Sequence, residues 1–563
     1  MDAKSMMAKA VMAASLCAVT TGLSALGGTY YVSPSADGAV AHACTYEDPG
    51  TLPQGVARVT NGSSLVLMRG TYDIPALFPD PVKTDGAYDY MKLSGKSDVT
   101  VRSIDRDPNG TVLAGDGTYG DEGRRLCYSK LTGASYWCGL TVSNFNGNWG
   151  GALTFHGNET VTNCIFRSNV SRGVGGACRN GNFVSCLFAD NRSEASEGGG
   201  ALYHPGTVKE CVFLNNRATA GGGAICAANS TVVGCRFLTN TCQKGTIYVN
   251  RQDHSALVKD CLFDGNVASW GGGAVLVDRG SLAASDCRFV GNLAQNGAAC
   301  YRGTYSRCTF SDTKTASSMF GIVSRGTFDG CLFTRNSVPG ISPQGAAIAY
   351  KCDLVGCTIS NCTVNGNISY QGSLSDCVIA DNFLSGQAGP NETTLKRCVF
   401  SGNVGGSYVG QVAGAAFNCL YIGNKLDSGE LASWGTAVNC TYVRNTGGNG
   451  VVGGGTFTNC LFADNAKDFH AATAATHCLY QTGAPSGTDC IQISDPKFAP
   501  ADERHPYGCA PRSRSPAVLN PGDASLWTDA DVDLAGCRRL RGGAVDVGCY
   551  QFWPLSGLVI MFK

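Results

Sequence analysis

The dominant pattern along the chain is a short apolar alternation that recurs about every 22 residues between Cys164 and Tyr480. A Cys is followed two residues later by an aromatic residue or Ile, in fifteen copies that lie 18 to 26 residues apart. Residues i and i+2 of a strand point to one face, so both members face inward. The repeat therefore predicts a solenoid with one copy per coil. The first five pairs are Cys164 and Phe166, Cys186 and Phe188, Cys211 and Phe213, Cys235 and Phe237, and Cys261 and Phe263.

An Asn stands five residues after the Cys in twelve of the fifteen copies. Asn tolerates left-handed backbone, and stacked Asn amides can hydrogen-bond one another. We therefore expect an Asn at the corner after each Cys strand, and an Asn ladder along the solenoid. Its first six members are Asn169, Asn191, Asn216, Asn240, Asn266 and Asn292.

A second segment, Gly-Gly-Ala, precedes the Cys strand in the first half of the chain, as at 150–152, 175–177 and 199–201. Gly allows a tight corner there and leaves room for the aromatic ladder. No helical period of 3.6 residues survives in these coils. The predicted fold is all-β, a right-handed parallel β-helix of the pectate-lyase-like kind with terminal caps.

The pattern changes at both ends and gives the predicted domain boundaries. Lys4 and Lys9 precede an uncharged stretch, so residues 1–27 are predicted to be a signal peptide. Residues 28–137 carry short β-branched runs, predicted to form an N-terminal cap and the first coils. The repeat body covers 138–480, a C-terminal domain covers 481–552, and the tail 553–563 is too short to span a bilayer.

Three segments carry family resemblances. Gly221–Ile225 with Phe237–Asn240 resembles the repeats of chlamydial polymorphic outer-membrane proteins and other bacterial β-helix surface proteins. Residues 28–137 resemble the first coils of pectate-lyase-like proteins. The C-terminal segment is similar to the choice-of-anchor Q domain, although Cys549 and Gln551 stand where Ala and Glu are expected. These resemblances imply a secreted or cell-surface bacterial protein.

Charge and cysteine content narrow the function. Lys plus Arg and Asp plus Glu both number 43, so the net charge is zero and nucleic acid is not an expected partner. The ladder thiols are predicted to pack as small apolar groups. Export would allow disulfides elsewhere in the chain. The candidates are Cys44, Cys127, Cys138, Cys490, Cys509, Cys537 and Cys549.

A set of basic residues follows the Gly-Gly-Ala segments and precedes the Cys strands. If these residues stack, they form a basic stripe able to bind an acidic glycan through charge-assisted hydrogen bonds. The alternative is a set of ordinary solvated turn residues. The set is Arg179, His204, Arg251, Arg279, Arg302, Arg325 and Lys351.

Sites for metals or catalysis are weak in the sequence. Asp260, Asp286 and Asp376 are scattered and are interpreted as solvent-facing strand positions. Asp529–Asp533 hints at a calcium loop but lacks the EF-hand spacing, and the Cys and His spacing does not fit zinc. No cofactor is therefore predicted.

The leading functional prediction is an exported, noncatalytic β-helix protein for surface adhesion or glycan binding. Its partners would be polysaccharides or host or cell-surface glycans, with no transmembrane span after signal removal. One alternative is a polysaccharide lyase or glycoside hydrolase acting on an acidic polysaccharide. Another is a structural surface scaffold.

Overall fold

The computed structural model describes residues 27–84, 87–93, 95–119, 123–129, 131–156, 159–315, 320–339, 347–386, 389–406, 408–410, 413–470 and 474–553. The predicted signal peptide and the C-terminal tail lie outside these residues, apart from Gly27 and Trp553. The chain divides into two compact units, residues 1–288 and 289–563, here called the first and second units. Each unit consists of coils of parallel β-helix, as the repeat predicts.

In the first unit, every full coil passes through three main strands, and the strands of successive coils pair in parallel to form three lanes. The Gly lane comprises Ala87–Met91, Arg124–Ser129, Leu153–Phe155, Cys178–Arg179, Leu202–Tyr203, Gly222–Ala227, Gly245–Val249 and Val275–Val277. The middle lane comprises Thr29–Val32, Ser64–Leu67, Thr100–Ser103, Tyr136–Cys138, Thr160–Thr162, Asn182–Val184, Thr207–Lys209, Ser230–Val233, Ser255–Lys259 and Ser281–Ser285. The Cys lane comprises Gly70–Asp73, Thr111–Ala114, Thr141–Ser143, Ile165–Arg167, Leu187–Ala189, Val212–Leu214, Arg236–Leu238 and Leu262–Asp264.

The first unit also contains short strands and two helices. The short strands follow the Cys lane at Asn146–Gly147, Val170–Ser171, Arg192–Ser193, Arg217–Ala218, Thr241–Cys242 and Val267–Ala268. The helices span Leu52–Arg58 and Ile74–Leu77, and strand Val82–Thr84 pairs antiparallel with Ala87–Met91. Thr51 and Gln54 form a capping box at the start of the first helix, which fixes where it begins.

The second unit repeats the three lanes. Its Gly lane comprises Cys300–Tyr301, Val323–Ser324, Ala347–Tyr350, Glu430–Ser433 and Gly450–Gly453. Its middle lane comprises Thr304–Ser306, Thr327–Asp329, Asp353–Val355, Gly414–Phe417, Thr436–Val438, Thr456–Thr458, Ala474–Thr476 and Ser486–Thr488, and the long strands Asn367–Ser375 and Asn391–Lys396 serve both lanes. Its Cys lane comprises Thr309–Ser311, Leu332–Thr334, Thr358–Ser360, Val378–Ala380, Val399–Ser401, Leu420–Ile422, Thr441–Val443, Leu461–Ala463, Leu479–Tyr480 and Ile491–Gln492.

Left-handed residues make the turns on both sides of the Cys lane. Asp260, Asp286 and Asp376, which directly precede ladder cysteines, have φ angles of 53°, 57° and 56°. Their interpretation as strand residues is therefore wrong. Short polar side chains and Gly occupy many of these turns because they adopt this backbone at lower cost than other residues.

The aromatic residues form stacked ladders inside the coils. Phe188 lies 4.9 Å from Phe213, and Phe213 lies 4.8 Å from Phe237, with ring planes within 8° of parallel. These separations match the distance between hydrogen-bonded strands, so the spacing of the coils sets the stacking. The side chains of all three rings are fully buried.

The ladder cysteines pack as buried thiols. The backbone N–H of Cys186 points at the sulfur of Cys211 at 3.4 Å, and Cys211 repeats this contact with Cys235. Off the ladder, burial raises the pKa of Cys352 to about 12 and that of Cys362 to about 11. The 28 cysteines from Cys44 to Cys549 form no disulfide, so the cross-links expected away from the ladder are absent among the described residues.

The Asn ladder lies at the corner after the Cys strand, as predicted, with its side chains turned into the coil. Ser168 has the left-handed conformation, with φ 55°, while the next residue, Asn169, is fully buried. Asn169 Nδ2 donates to Val142 O and to Asn191 Oδ1, both at 3.0 Å. The side chain thus connects successive coils and satisfies buried backbone carbonyls.

The Gly-Gly-Ala segments bring neighbouring coils together. A Cβ added to Gly176 would lie 1.9 Å from the carbonyl oxygen of Gly200, and one on Gly200 would lie 2.0 Å from that of Gly223. The lack of a side chain at these Gly residues therefore makes room for the backbone of the next coil, and not for the aromatic ladder. The N–H of Gly176 uses this approach to donate to Gly199 O at 3.0 Å.

The C-terminal segment packs along the flank of the last coils of the second unit. Cys509, Cys549 and Tyr550 cover Leu420 and Val443, which lie on the outer side of the Cys lane. The segment includes helix Pro516–Leu519 and the 3₁₀ helix Ala524–Leu526. Within the described residues, no helix combines the length and apolar character needed to cross a membrane.

Candidate functional site

The candidate site residues lie at the turn from the Gly lane to the middle lane. In the second unit, strand pairing aligns Tyr301 with Ser324, Ser324 with Tyr350, and Tyr350 with Tyr370. The residue after each of these occupies the turn. Arg302, Arg325 and Lys351 therefore occupy equivalent positions on three successive coils, and they are called the basic corner.

Local backbone geometry is shared across the basic corner. The φ angles of Arg302, Arg325 and Lys351 are 61°, 58° and 53°. The N–H of Arg325 donates to Tyr350 O at 2.9 Å, and that of Lys351 donates to Tyr370 O at 2.8 Å. Each coil thus holds the next in register.

Tyrosine rings line the basic corner. The guanidinium carbon of Arg302 lies 5.5 Å from the centre of the Tyr301 ring, and that of Arg325 lies 6.0 Å from the same ring. Lys351 Nζ lies 5.5 Å from the centre of the Tyr350 ring, which stacks on Tyr370 at 5.8 Å. These distances are within the range of cation–π attraction. The rings position the cations without neutralising their charge.

The run of positively charged turn residues in the basic corner ends at Lys351. Gln371 and Glu392 occupy the next two turn positions, and Gln371 Nε2 donates to Glu392 Oε2 at 2.5 Å. The burial of Tyr370, reinforced by the negative charge of Glu392, raises the pKa of its hydroxyl. The basic corner is therefore three residues long and is followed by a neutral and then an acidic position.

The four predicted basic residues of the first unit do not form one column. Arg179 pairs with Tyr203, so it lies one position before the turn that His204 occupies. Arg251 and Arg279 follow Val249 and Val277 by two residues, in longer turns. The expected basic stripe does not form in the first unit. The turns differ in length from coil to coil, so residues that follow similar sequence segments do not occupy equivalent positions.

His204 is also not a cation near neutral pH. Burial, together with the charges of His254, Arg251 and Arg179, lowers its pKa to about 3. Its ring stacks on Tyr203 at 3.7 Å and meets His254 edge-on at 4.9 Å. The Nε2 atom of His204 is buried and makes no hydrogen bond.

A chain of hydrogen bonds connects His254 to a distant loop. Asn250 Oδ1 lies 3.1 Å from His254 Nδ1, and Asn250 Nδ2 donates to Glu197 Oε2 at 2.9 Å. Tyr248 donates to Asp278 Oδ2 at 3.4 Å. The resulting cluster, called the polar corner, comprises Glu197, Tyr203, His204, Tyr248, Asn250, His254 and Asp278.

Sequence reasoning missed most of the polar corner and the tyrosines of the basic corner. The tyrosines could have been identified from the sequence, because Tyr301 and Tyr350 each directly precede a predicted basic residue. No sequence pattern identifies Glu197, since its partner Asn250 is 53 residues away along the chain. In the part of the chain that the structure describes, no three His, Cys, Asp or Glu side chains converge as metal ligands would.

Comparisons with known proteins agree with the fold and leave the chemistry open. Residues 210–228 match the Chlamydia polymorphic membrane protein repeat. No curated protein matches the chain. The segment of 19 residues is a small part of 563, so the match identifies a repeat and not a family for the whole chain.

Several solved structures are similar to the chain at low identity. Pectate lyase Pel9A is 10% identical, with a TM-score of 0.22, over 94% of this chain and 97% of that one. The GH136 lacto-N-biosidase from Eubacterium ramulus is 12% identical, with a TM-score of 0.22, over 68% of this chain and 65% of that one. A mannuronic acid specific family 6 lyase from human gut microbiota is 11% identical, with a TM-score of 0.21, over 77% and 86%. The chain is a parallel β-helix by its own strand pairing, and these values carry no argument about activity.

Proposed function

We propose that the protein is an exported, noncatalytic β-helix that binds acidic glycans at the basic corner. The observation that carries this proposal is the alignment of Arg302, Arg325 and Lys351 on successive coils beside tyrosine rings. A charged, aromatic-lined strip on a rigid scaffold suits a ligand that is extended and negatively charged.

Arginines at other turns of the second unit differ from Arg325 and Lys351 in having carboxylate partners. Arg335 contacts Asp312 through two hydrogen bonds of 2.8 and 2.7 Å, and Arg397 contacts Asp376 through two of 2.6 Å. Among the described residues, Arg325 and Lys351 make no ion pair. Their charges therefore remain available to an external anion.

The spacing of the basic corner favours a repeating ligand. Neighbouring coils lie about 4.8 Å apart, so cations on successive coils present charges at that interval. An exposed ion pair contributes only about 0–1 kcal/mol, so a single anion would bind weakly. A polymer whose carboxylates repeat along an extended chain would contact several cations at once.

Surface location is part of the same proposal. It is supported by the polymorphic membrane protein repeat at residues 210–228 and by the signal-like N-terminal sequence. The resemblance of residues 481–552 to the choice-of-anchor Q domain supports a role for this segment as a terminal domain. Fractionation of cells that express the full chain, with detection before and after surface proteolysis, tests this location. Recovery in the cytosolic fraction would contradict it.

Binding to polygalacturonate and to its fully methyl-esterified form tests the glycan assignment. The wild type is expected to bind the acidic polymer and to ignore the neutral one. The double variant Arg325→Gln/Lys351→Gln should lose about tenfold or more in affinity, because two charge-assisted contacts disappear.

A matched control distinguishes the effect of losing the basic corner from the effect of losing positive charge in general. Lys209→Gln/Lys259→Gln removes the same number of positive charges from exposed positions of the first unit, where each Lys lies beside an acidic neighbour. This control should bind like the wild type. Equal losses in both variants would reject the basic corner, and no binding by the wild type would reject the glycan assignment.

The polar corner favours a second candidate function, cleavage of an acidic polysaccharide. Glu197 and Asp278 supply carboxylates, and His204 supplies an uncharged imidazole with an unpaired nitrogen. Groups of these kinds act as general acids and bases. New reducing ends or double-bond absorbance, lost in Glu197→Gln, would establish this function, and neither signal from the wild type would reject it.

A further inference from the structure

A cavity in the second unit lies between two neighbouring coils and the C-terminal segment. Its volume is 290 Å³, near the lower end for small-molecule sites. It is lined by Lys396, Arg397, Phe417, Asn418, Leu526, Trp527, Asp531 and Val532. None of these residues belongs to the basic corner or to the polar corner.

Asn418 gives the cavity an unsatisfied hydrogen-bond acceptor. Its side chain is 3% exposed, and Nδ2 donates to Val532 O at 2.9 Å. Its Oδ1 atom is buried and has no hydrogen-bond partner among the described residues. Leaving such an atom unpaired is costly, so a buried orphan acceptor beside a cavity indicates a ligand that donates a hydrogen bond.

On the next two coils, the Asn at the equivalent position has a partner for its side-chain oxygen, so the unpaired acceptor is specific to Asn418. Asn439 and Asn459 occupy the same left-handed position before their ladder cysteines. Asn439 Oδ1 accepts from Trp527 Nε1 at 2.8 Å, and Asn459 Oδ1 accepts from the N–H of Asp523 at 2.8 Å. The C-terminal segment therefore satisfies both of these acceptors, and it leaves unpaired the one that lines the cavity.

The rest of the lining combines apolar surface with polar groups of both signs. Phe417, Leu526 and Trp527 supply the apolar part. Arg397 is already paired with Asp376, whereas Lys396 makes no ion pair among the described residues. Within the described part of the chain, Asp531 accepts side-chain hydrogen bonds through Oδ2, both from Thr528, so its Oδ1 can accept another bond. The positive charge of Lys396 and the negative charge of Asp531 cancel, so the cavity lining carries no net charge from this pair.

We propose that this cavity binds a single neutral hexopyranose unit. A pyranose has C–H faces that pack on aromatic rings and hydroxyl groups around its edge. The hydroxyls would donate to Asn418 Oδ1 and Asp531 Oδ1 and accept from Lys396 Nζ. The balanced charge gives no preference for an anion, which distinguishes this site from the basic corner.

Saturation-transfer NMR of the full chain with methyl glucopyranoside, methyl galactopyranoside and galacturonic acid tests the proposal. We expect at least one neutral glycoside to bind, with a dissociation constant on the order of 1 mM for so small a ligand. No binding by either neutral glycoside, or binding by galacturonic acid alone, would overturn the proposal. Binding of the acidic polymer at the basic corner is measured separately, so the two proposals can fail independently.

Leu526→Trp narrows the cavity from a side chain that is 51% exposed, so folding is little affected. We expect at least a tenfold loss of glycoside binding in this variant. Leu519→Trp changes an exposed Leu of the same segment that does not line the cavity, and it should bind like the wild type. Unchanged binding in Leu526→Trp would overturn the proposal.

Asn418→Gly removes the orphan acceptor and suits the φ angle of 53°. One lost hydrogen bond predicts weakening of between about twofold and tenfold. Asn163→Gly makes the same change at the same turn position of the first unit, where φ is 48°, and serves as the control. Equal binding by Asn418→Gly and the wild type would show that the acceptor is met by water alone and would overturn the assignment.

Discussion

Asn191 Nδ2 donates to Asn216 Oδ1 at 3.0 Å, one coil further along the solenoid. The same oxygen accepts from the backbone N–H of Asn191 at 3.1 Å. Asn216 Nδ2 in turn donates to Phe188 O at 2.9 Å and to Asn240 Oδ1 at 3.0 Å. One buried side chain therefore satisfies four groups on the two coils that flank its own.

Asn216→Ala should lower the free energy of unfolding by about 2 to 4 kcal/mol, because it leaves buried donors and an acceptor unpaired. Urea denaturation followed by circular dichroism measures the change. The control is Asn215→Gly, the neighbouring exposed, left-handed Asn. A loss in Asn216→Ala no larger than that of the control would contradict the ladder's role in stability.

The buried thiols of Cys352 and Cys362, which flank the ladder residue Cys357, should resist alkylation in the native protein. Burial keeps the pKa of Cys352 and Cys362 far above neutrality, so little thiolate forms and reagents have no access. Cys490 and Cys537 are only partly buried and should react first. Mass spectrometry after iodoacetamide treatment at pH 8 measures this order. Rapid native labelling of Cys352 would refute it.

Alkaline pH should destabilise the fold through the same thiols. Their pKa values are higher in the folded than in the unfolded chain, so the unfolded state loses protons first as pH rises. The stability they contribute is therefore complete below about pH 8.5 and falls through pH 11 to 12, where Cys362 and Cys352 titrate. Thermal unfolding across pH 7 to 11 would reveal the decline. A constant melting temperature would argue against buried, protonated thiols at Cys352 and Cys362.

His204 should stay uncharged through the physiological range. Its pKa of about 3 is below the unfolded value, so its contribution to stability is present above about pH 6.5 and is lost as pH falls toward 3. NMR of the ring protons should show no titration between pH 5 and 8. His204→Asn, which tolerates the φ angle of 52°, should reduce the acid dependence of stability. A midpoint near 6.5 would contradict the buried, neutral state.

Asn439 should hold the C-terminal segment against the coils. Its Nδ2 donates to Asp546 O at 2.8 Å, and its Oδ1 accepts from Trp527 Nε1 at 2.8 Å. Asn439→Gly keeps the left-handed turn but removes both bonds, so limited proteolysis should release this segment faster than in the wild type. Asn163→Gly provides the matched control. Equal rates in the two variants would show that other contacts retain the segment without the Asn439 hydrogen bonds.

The coil repeat was predictable because each ladder is built from one residue in every coil. Cys, the aromatic residue and Asn recur in fixed order, and strand alternation gives the inward face of the first two. The corner position of Asn was predictable, but its conformation was not. Ser168 carries the left-handed backbone, and Asn169 turns its amide to the next coil.

The candidate sites were predictable only where turns have equal length. Arg302, Arg325 and Lys351 follow strands in common register, so the sequence aligns them correctly. Arg179 and His204 fall out of line because their turns begin at different positions. The contact between Glu197 and Asn250 depends on a loop that crosses coils, and no local pattern encodes it.

The most direct measurement of the central claim is an experimental structure of the full chain with an oligogalacturonide. We predict density along the basic corner, with carboxylates within about 3 Å of the Arg325 and Lys351 side chains on neighbouring coils. Oligosaccharide bound elsewhere, with both side chains in contact only with solvent, would contradict the account.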